Sequence, residues 1–258
     1  MENKNVYGIY FSPTETSKKG VLTIAKEFSS DIKEIDVTKL SSKPLKTDFK
    51  KDDIVVFGAP VYCGRLCEGF ADKLKEFTGN STPCIITVTY GNRDFDDALL
   101  EMYDIVIERG FIPFAGCALV AQHTYGKIAT GRPNQEDIAD DIEFANKAKE
   151  FLNCSKLVKV SGNRPYRNGG KGHFTPLVDT EICTNCGYCA KECPVDAIDI
   201  IRSFNTDSDK CISCFRCIRV CPKGARNMNT EEYINWAKDF TQKLSTPQRN
   251  IYFLPEKD

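Results

Sequence analysis

Two runs of cysteine constrain this chain more than any other feature. Cys183, Cys186, Cys189 and Cys193 are followed by Pro194; Cys211, Cys214, Cys217 and Cys221 are followed by Pro222. Both runs read C-x2-C-x2-C-x3-C-P, with an offset of 28 residues at every cysteine, and Ala197 and Ala225 share that offset. The segment is an internal duplication. A cubane of four irons and four sulfides needs four thiolates at the corners of a tetrahedron. A tight loop with two-residue gaps supplies three, and the fourth comes from elsewhere. In the two-cluster arrangement the last cysteine of each run ligates the other cluster. The spacing therefore predicts one [4Fe–4S] cluster on Cys183, Cys186, Cys189 and Cys221, and a second on Cys211, Cys214, Cys217 and Cys193. Proline after the crossing cysteine fixes φ and removes a donor where the chain turns away.

Two other uses of cysteine fit less well. Structural zinc sites pair C-x2-C units without a third cysteine two residues on. A disulfide framework needs secretion, and the first residues, MENKN, lead into a strand-like segment with no cleavable apolar region. The eight cysteines are expected to be ligands in a chain kept in a reducing cytoplasm. A domain this small buries little apolar surface, so the clusters would act as its core.

Charge and hydropathy exclude two partner classes. Lys and Arg number 35 against 36 Asp and Glu, a net charge of −1, without the basic excess of a nucleic-acid binder. The longest apolar runs, such as 54–59, are far too short to span a bilayer. The near-neutral total hides a pattern. Residues 1–155 carry 19 basic and 24 acidic residues, whereas 156–178 carry Lys156, Lys159, Arg164, Arg167 and Lys171 with no acid. The basic segment is either a solvated linker or is attracted to the acidic part.

Residues 1–155 alternate apolar runs at 6–11, 35–37, 54–59, 84–90 and 114–121 with helical spacing near 15–29, 67–78, 94–109 and 134–153. That alternation predicts an α/β domain with a parallel sheet. Residues 156–178, rich in Gly and Pro, read as a linker. The cysteine domain occupies 179–229, and a C-terminal helix and tail fill 230–258. In that helix Thr230 is the expected N-cap, and Tyr233, Trp236, Ala237 and Phe240 form a stripe that would dock on the protein.

Three loops follow strands and so gather at the carboxyl edge of the sheet, where open α/β sheets bind ligands. The first, 12–18, is a hydroxyl-rich turn opening a helix, which suits a phosphate as well as it suits a plain helix cap. It lacks the glycine patterns of nucleotide triphosphatases and dinucleotide folds. The others are 59–65 and 91–97.

At these three places the residue order resembles the flavodoxin fold. Ser12, Thr14, Thr16 and Ser17 match that family's phosphate loop for FMN, with Glu15 where many members have glycine. An acid there suits a phosphate only if its side chain points away. Pro60, Val61, Tyr62, Cys63 and Gly64 match one loop flanking the isoalloxazine ring; Thr89, Tyr90, Gly91, Asn92, Arg93, Phe95 and Asp96 match the other. The resemblance implies that Tyr62, Tyr90 or Phe95 stacks on the ring, although each could equally be a core or surface residue. It also implies that backbone groups of 62–64 and 91–92 meet the ring's polar atoms. Residues 175–229 resemble bacterial ferredoxins with two clusters. The phrases FSPTETSKK, GAPVYCGR, TYGNRDFDDAL and GNRPYRNGGKGHFTP, followed by both cysteine runs, are similar to the flavodoxin–ferredoxin fusion proteins of anaerobes, over residues 6 to about 229. This implies a flavodoxin-like five-stranded parallel sheet of order 2-1-3-4-5 with a small α+β two-cluster ferredoxin domain, and FMN plus two [4Fe–4S] clusters as cofactors.

The expected function is electron transfer: single electrons pass between the clusters and FMN and are exchanged with redox partner proteins. The alternative is an FMN-dependent reductase of a small acceptor, such as a quinone or an activated double bond. An enzyme of that kind needs an open cavity over the ring and a proton donor in reach. His123 and Cys63 are the catalytic candidates, with Tyr62, Tyr125 and Arg132 as further donors; a surface position is the plainer expectation for His123. The other cysteines, 63, 67, 84, 117 and 154, offer a third reading. Cys84 and Cys117 fall within strands. Cys63 and Cys67 flank a helix start, where a thiolate is favoured and redox sensing is conceivable, against the plainer reading of unconstrained thiols.

Overall fold

The computed structural model describes residues 4–154 and 156–256. Five strands, β1 (Val6–Tyr10), β2 (Ile32–Asp36), β3 (Ile54–Tyr62), β4 (Thr82–Tyr90) and β5 (Phe111–Val120), pair in parallel in the order β2-β1-β3-β4-β5. This is the flavodoxin-like order 2-1-3-4-5. The central strands are apolar almost throughout because both faces are covered; β1 is buried at all five residues. Val6 pairs with Ile32 on one side and Ile54 on the other. Between β4 and β5 the register slips after Cys84, which faces Pro113, while Ile85 faces Ala115. Pro113 has no N–H for the ladder, and its carbonyl accepts from Val158 N at 3.0 Å.

Helices α1 (Thr16–Lys26) and α4 (Gln135–Ala148) cover one face, where Val21, Ile24 and Ala25 meet Phe144, Ala145 and Ala148. Helices α2 (Glu68–Leu74) and α3 (Ala98–Glu108) cover the other through Phe70, Leu74, Leu99 and Met102. A capping box starts α4: Asn134 accepts from Asp137 N, and Asp137 accepts from Asn134 N. The order reverses between β1 and β3, so their following loops diverge and open a crevice at the carboxyl edge.

The cysteine segment repeats its backbone as well as its sequence. Helix α5 (Tyr188–Lys191) corresponds to α6 (Arg216–Val220). Asn185 and Ser213 share a left-handed φ of 53° and 56°, and Gly187 and Phe215 share 73° and 57°. The antiparallel pair Val178–Arg226 has its counterpart in the bridge Ile198–Thr206. Its core is small: Cys189, Ala190, Cys193, Ala197 and Ile198.

The last stretch of chain returns to the α/β part. Helix α7 (Glu231–Lys243) is capped by Thr230, whose hydroxyl accepts from Tyr233 N. Beyond it β6 (Ile251–Phe253) pairs antiparallel with β5 at Ala118, Cys117 and Gly116. What reads in the sequence as a tail is an edge strand that covers the sheet. Among the described residues, no helix is long and apolar enough to cross a membrane.

Candidate functional site

A cavity of about 270 Å³ lies at the carboxyl edge, beside the β1/β3 reversal. Of the residues singled out in the sequence, Thr14, Thr16, Pro60, Val61, Tyr62, Cys63, Thr89, Tyr90, Gly91 and Arg93 line it. All three loops therefore contribute. Its opposite wall comes from outside the α/β part: Lys171, His173 and Phe174 from the basic segment, Ser213 from the second cysteine run, and Trp236 and Phe240 from α7.

The phosphate-type loop is built by its own hydroxyls. Ser12 Oγ accepts from Lys18 N at 3.0 Å, and Ser12 N donates to Thr38 Oγ1 at 2.9 Å. Ser17 Oγ bonds Thr89 Oγ1, tying this loop to β4. Those bonds hold Ser12 and Ser17 in the frame behind the cavity, while Thr14 and Thr16 face it. Glu15 is the N-cap of α1, with φ 66° and no capping bond from its side chain. That left-handed geometry favours glycine, which explains why glycine suits this place in the flavodoxin pattern. The first N–H groups of α1 have no intrahelical acceptor. The Glu15 carboxylate is drawn aside to Arg216 Nη1, 3.1 Å away.

Aromatic side chains make the far wall. Trp236 and Phe240 stack at 4.6 Å, Phe174 meets Trp236 at 4.8 Å, and Tyr125 meets Phe215 at 5.1 Å. The stripe on α7 docks on the protein and, in docking, becomes cavity wall. His123 lies in this wall rather than on the surface, with its ring 5.2 Å from Phe240. Burial lowers its pKa to about 4, and the Arg93 charge adds to that, against a backbone bond that favours the charged ring. At pH 7 the ring is neutral, its Nδ1 accepting from Tyr125 N at 2.9 Å. A side chain at position 91 would collide with the His123 ring, so Gly91 admits it.

Several residues singled out in the sequence stand elsewhere. Phe95 is buried against Tyr90 and Phe253 in the core. Asn92 points to the C-terminal stretch, donating to the carbonyls of Leu244 and Thr246 and accepting from Gln248 N. Asp96 pairs with Arg93 and Arg167, and Gly64 accepts from Asp97 N. Arg132 pairs with Asp137 and donates to the Gln248 carbonyl. Cys67 is buried, and burial pushes its thiol up, against two backbone bonds; this speaks against the redox-sensing alternative at Cys67 and leaves the plainer reading of an unreactive thiol there. Cys84 and Cys117 are wholly buried in strands, with thiols raised by burial. Cys63 is exposed at the cavity edge, and Cys154 is half-buried.

The eight clustered cysteines surround two small cavities. Cys183, Cys186, Cys189 and Cys221 line one; Cys193, Cys211, Cys214 and Cys217 line the other. Each thus takes three cysteines from one run and the last from the other. The crossing sulfurs accept equivalent bonds: Ala197 N to Cys193 Sγ at 3.3 Å and Ala225 N to Cys221 Sγ at 3.2 Å. That bond accounts for the alanine shared by both repeats. Although burial opposes it, the N–H groups of Lys223, Arg226, Ala225 and Gly224 hold the Cys221 thiol below its ordinary value. Burial pushes the Cys217 thiol up to about 12. Among the described residues no three His, Cys, Asp or Glu side chains converge closely enough for a single metal ion. The cysteines ring a hole rather than meeting at a point, which fits a cluster better than a zinc ion with its ~2.3 Å bonds.

The two halves are joined by charge. Asp97 accepts from the N–H groups of Asn163 and Arg167, each at 2.7 Å. Arg164 pairs with Asp104, and Arg167 with Asp96 at 2.6 Å. The basic segment is thus strapped to the start of α3, although many of its residues keep an exposed side. Arg216 reaches from the second repeat to the Pro13 carbonyl at 3.0 Å, to Glu15, and to Glu192 at 2.5 Å. On the other flank Lys39 pairs with Asp196 at 2.6 Å, and Leu40 N donates to the Pro194 carbonyl.

Gln122, Thr124, His173, Phe174 and Ser213 also line the cavity without having been singled out as site residues. Gln122 and Thr124 flank His123 after β5, and His173 and Phe174 fall within GNRPYRNGGKGHFTP, whereas no local signal placed Ser213 there.

Residues 175–222 match the family described as a 4Fe-4S dicluster domain. None of the curated proteins matches the chain. Among solved structures, oxidised flavodoxin 2 from Bacillus cereus is similar to it at 13% identity and a TM-score of 0.42, over 57% of this chain and 98% of that one. A short-chain flavodoxin associated with a bacterial microcompartment gives 13%, 0.43, 58% and 99% in the same order. The flavodoxin of Streptococcus pneumoniae gives 16%, 0.39, 56% and 97%.

Proposed function

We propose that this flavodoxin–ferredoxin fusion holds FMN in the cavity at the carboxyl edge and two [4Fe–4S] clusters in the two cysteine cavities, and that it passes single electrons between them. The observation that carries the reading is a shared wall. Ser213 lines the first cavity, while Ile212, Cys214 and Phe215, its chain neighbours, line the cavity of the second cysteine group. Tyr62 feels both sites: burial raises its pKa, and the nearby thiols Cys214, Cys67 and Cys211 add to the rise.

The residues present suit FMN. Thr14, Thr16 and the open N-terminus of α1 would hold its phosphate, with Glu15 turned to Arg216. The isoalloxazine ring would lie against Tyr62, with Trp236 and Phe240 across from it. When bound, FMN can take up one or two electrons, whereas each cluster carries one. The chain's part is to hold the groups close, exclude water with the aromatic wall and present the cluster of Cys183, Cys186, Cys189 and Cys221 to redox partner proteins.

The reading as a reductase of a small acceptor is less well supported. About 270 Å³ lies just under the usual range of small-molecule sites, which leaves little room for an acceptor beside FMN. A neutral His123 is also a poor acid at pH 7. Anaerobic purification with iron, sulfide and flavin quantification tests the proposal. It expects about eight irons and one FMN per chain. Fewer than about four irons after anaerobic reconstitution would contradict it.

A further inference from the structure

The duplication extends to a pair of hydroxyls outside both cysteine runs. Thr175 and Ser203 are separated by the same 28 residues as the cysteines. The Thr175 side chain lies close enough to the Cys211 thiol to favour its charged form. The repeat partner of Cys211 is Cys183, so the symmetric contact would run from Ser203 to Cys183.

Ser203 is 1% exposed, yet its Oγ has no hydrogen-bond partner among the described residues. Its backbone is spoken for: its N–H donates to Asn185 Oδ1 at 2.7 Å, and its carbonyl accepts from Arg226. Ser203 also lines the cavity of Cys183, Cys186, Cys189 and Cys221. A buried hydroxyl without a partner is costly, and here it stands beside a hole ringed by sulfur.

We propose that Ser203 Oγ donates a hydrogen bond to the Cys183 thiolate of the bound cluster, and that its repeat equivalent Thr175 donates one to Cys211, so that each cluster has one dedicated hydroxyl. The inference rests on reading the two cavities as cluster sites. Reduction adds negative charge to a cluster, so a donor to its sulfur favours the reduced form and raises the potential. Ser203 and Thr175 are positioning residues: they touch ligand sulfur and set how readily each cluster takes its electron.

The test is an anaerobic redox titration of the holoprotein followed by electron paramagnetic resonance, with iron and sulfide measured on every sample. S203A should keep both clusters and move one of the two potentials to a more negative value. The expected change is about tenfold in its reduction equilibrium, about 59 mV for one electron. S203T, which keeps the hydroxyl, should retain the wild-type value. T175V should move the other cluster, and the double variant both. If S203A loses iron, S203T and T175V decide. Full iron with unchanged potentials in T175V and in S203A, where it assembles, would overturn the proposal. So would movement of the same cluster in both variants. Wild-type protein without two clusters would instead overturn the reading of the cavities.

Discussion

The two halves of this molecule hold themselves together by different means. The α/β half has a core of large side chains, with Phe11, Phe57, Phe70, Phe77 and Phe114 almost wholly buried. The cysteine half has a core of Cys189, Ala190, Cys193, Ala197 and Ile198, and it leaves Ile182, Ile200, Ile201 and Phe204 exposed. Hydrophobic burial can sustain the first. The second has too little apolar surface and needs its ligand sphere filled. The same division governs what each half does. The sheet provides a rigid edge that orients loops, whereas the repeat provides eight sulfurs and little else.

The strongest way to break that contrast is to remove iron anaerobically and follow amide exchange. Protection over 183–228 should vanish, while β1, β3 and β4 keep theirs. Equal loss in both halves would mean that the α/β half is not self-sufficient. A smaller effect is expected from Arg216, which bridges Pro13, Glu15 and Glu192 between the halves. R216M should cost about 2 kcal/mol in denaturant melts of the holoprotein, since it removes hydrogen bonds to charged groups. E15Q should cost less than about 1 kcal/mol, because Glu15 is largely exposed.

Asp97 sharpens the comparison from the other side. Burial raises its pKa, but the N–H groups of Arg167 and Asn163 outweigh that and hold the carboxyl below its ordinary value. Its contribution is present above the ordinary carboxylate value of about 3.9 and is lost as pH falls through the lower folded value. D97N should loosen the strap by about 1 kcal/mol and speed proteolysis near 163–171.

The smallest effect concerns the edge strand. Burial pushes Asp141 up to about 7, against the bonds from Tyr252 and Asn250 and with Asp137 and Asp140 adding to the rise. A carboxyl raised in this way stabilises β6 fully below about pH 4, and that stability is lost as pH rises towards 7. Exchange of the amides of 251–253 should quicken over that range, and D141N should flatten the dependence.

The contrast also explains what the sequence disclosed. The cysteine spacing carries the grouping of the eight cysteines around two cavities, three from one run and the last from the other, and the apolar runs at 54–59 and 84–90 carry the sheet. The loops after β1, β3 and β4 reach the cavity because strand direction puts them there. Asn92, Phe95 and Asp96 belong to the same motif but are diverted: their partners Leu244, Phe253 and Arg167 lie some 70 to 160 residues away. No local pattern reports such contacts. The three residues of β6 are likewise too few to show a period, and their pairing depends on where α7 leaves the chain.

The shared wall at Ser213 is the central claim, and intramolecular electron transfer tests it most directly. Holoprotein is mixed anaerobically with a donor that reduces the clusters, and the flavin absorbance is followed at several protein concentrations. The account predicts that the flavin is reduced after the clusters, with a rate independent of protein concentration. A rate that rises in proportion to protein concentration, or a flavin that stays oxidised beside reduced clusters, would contradict it.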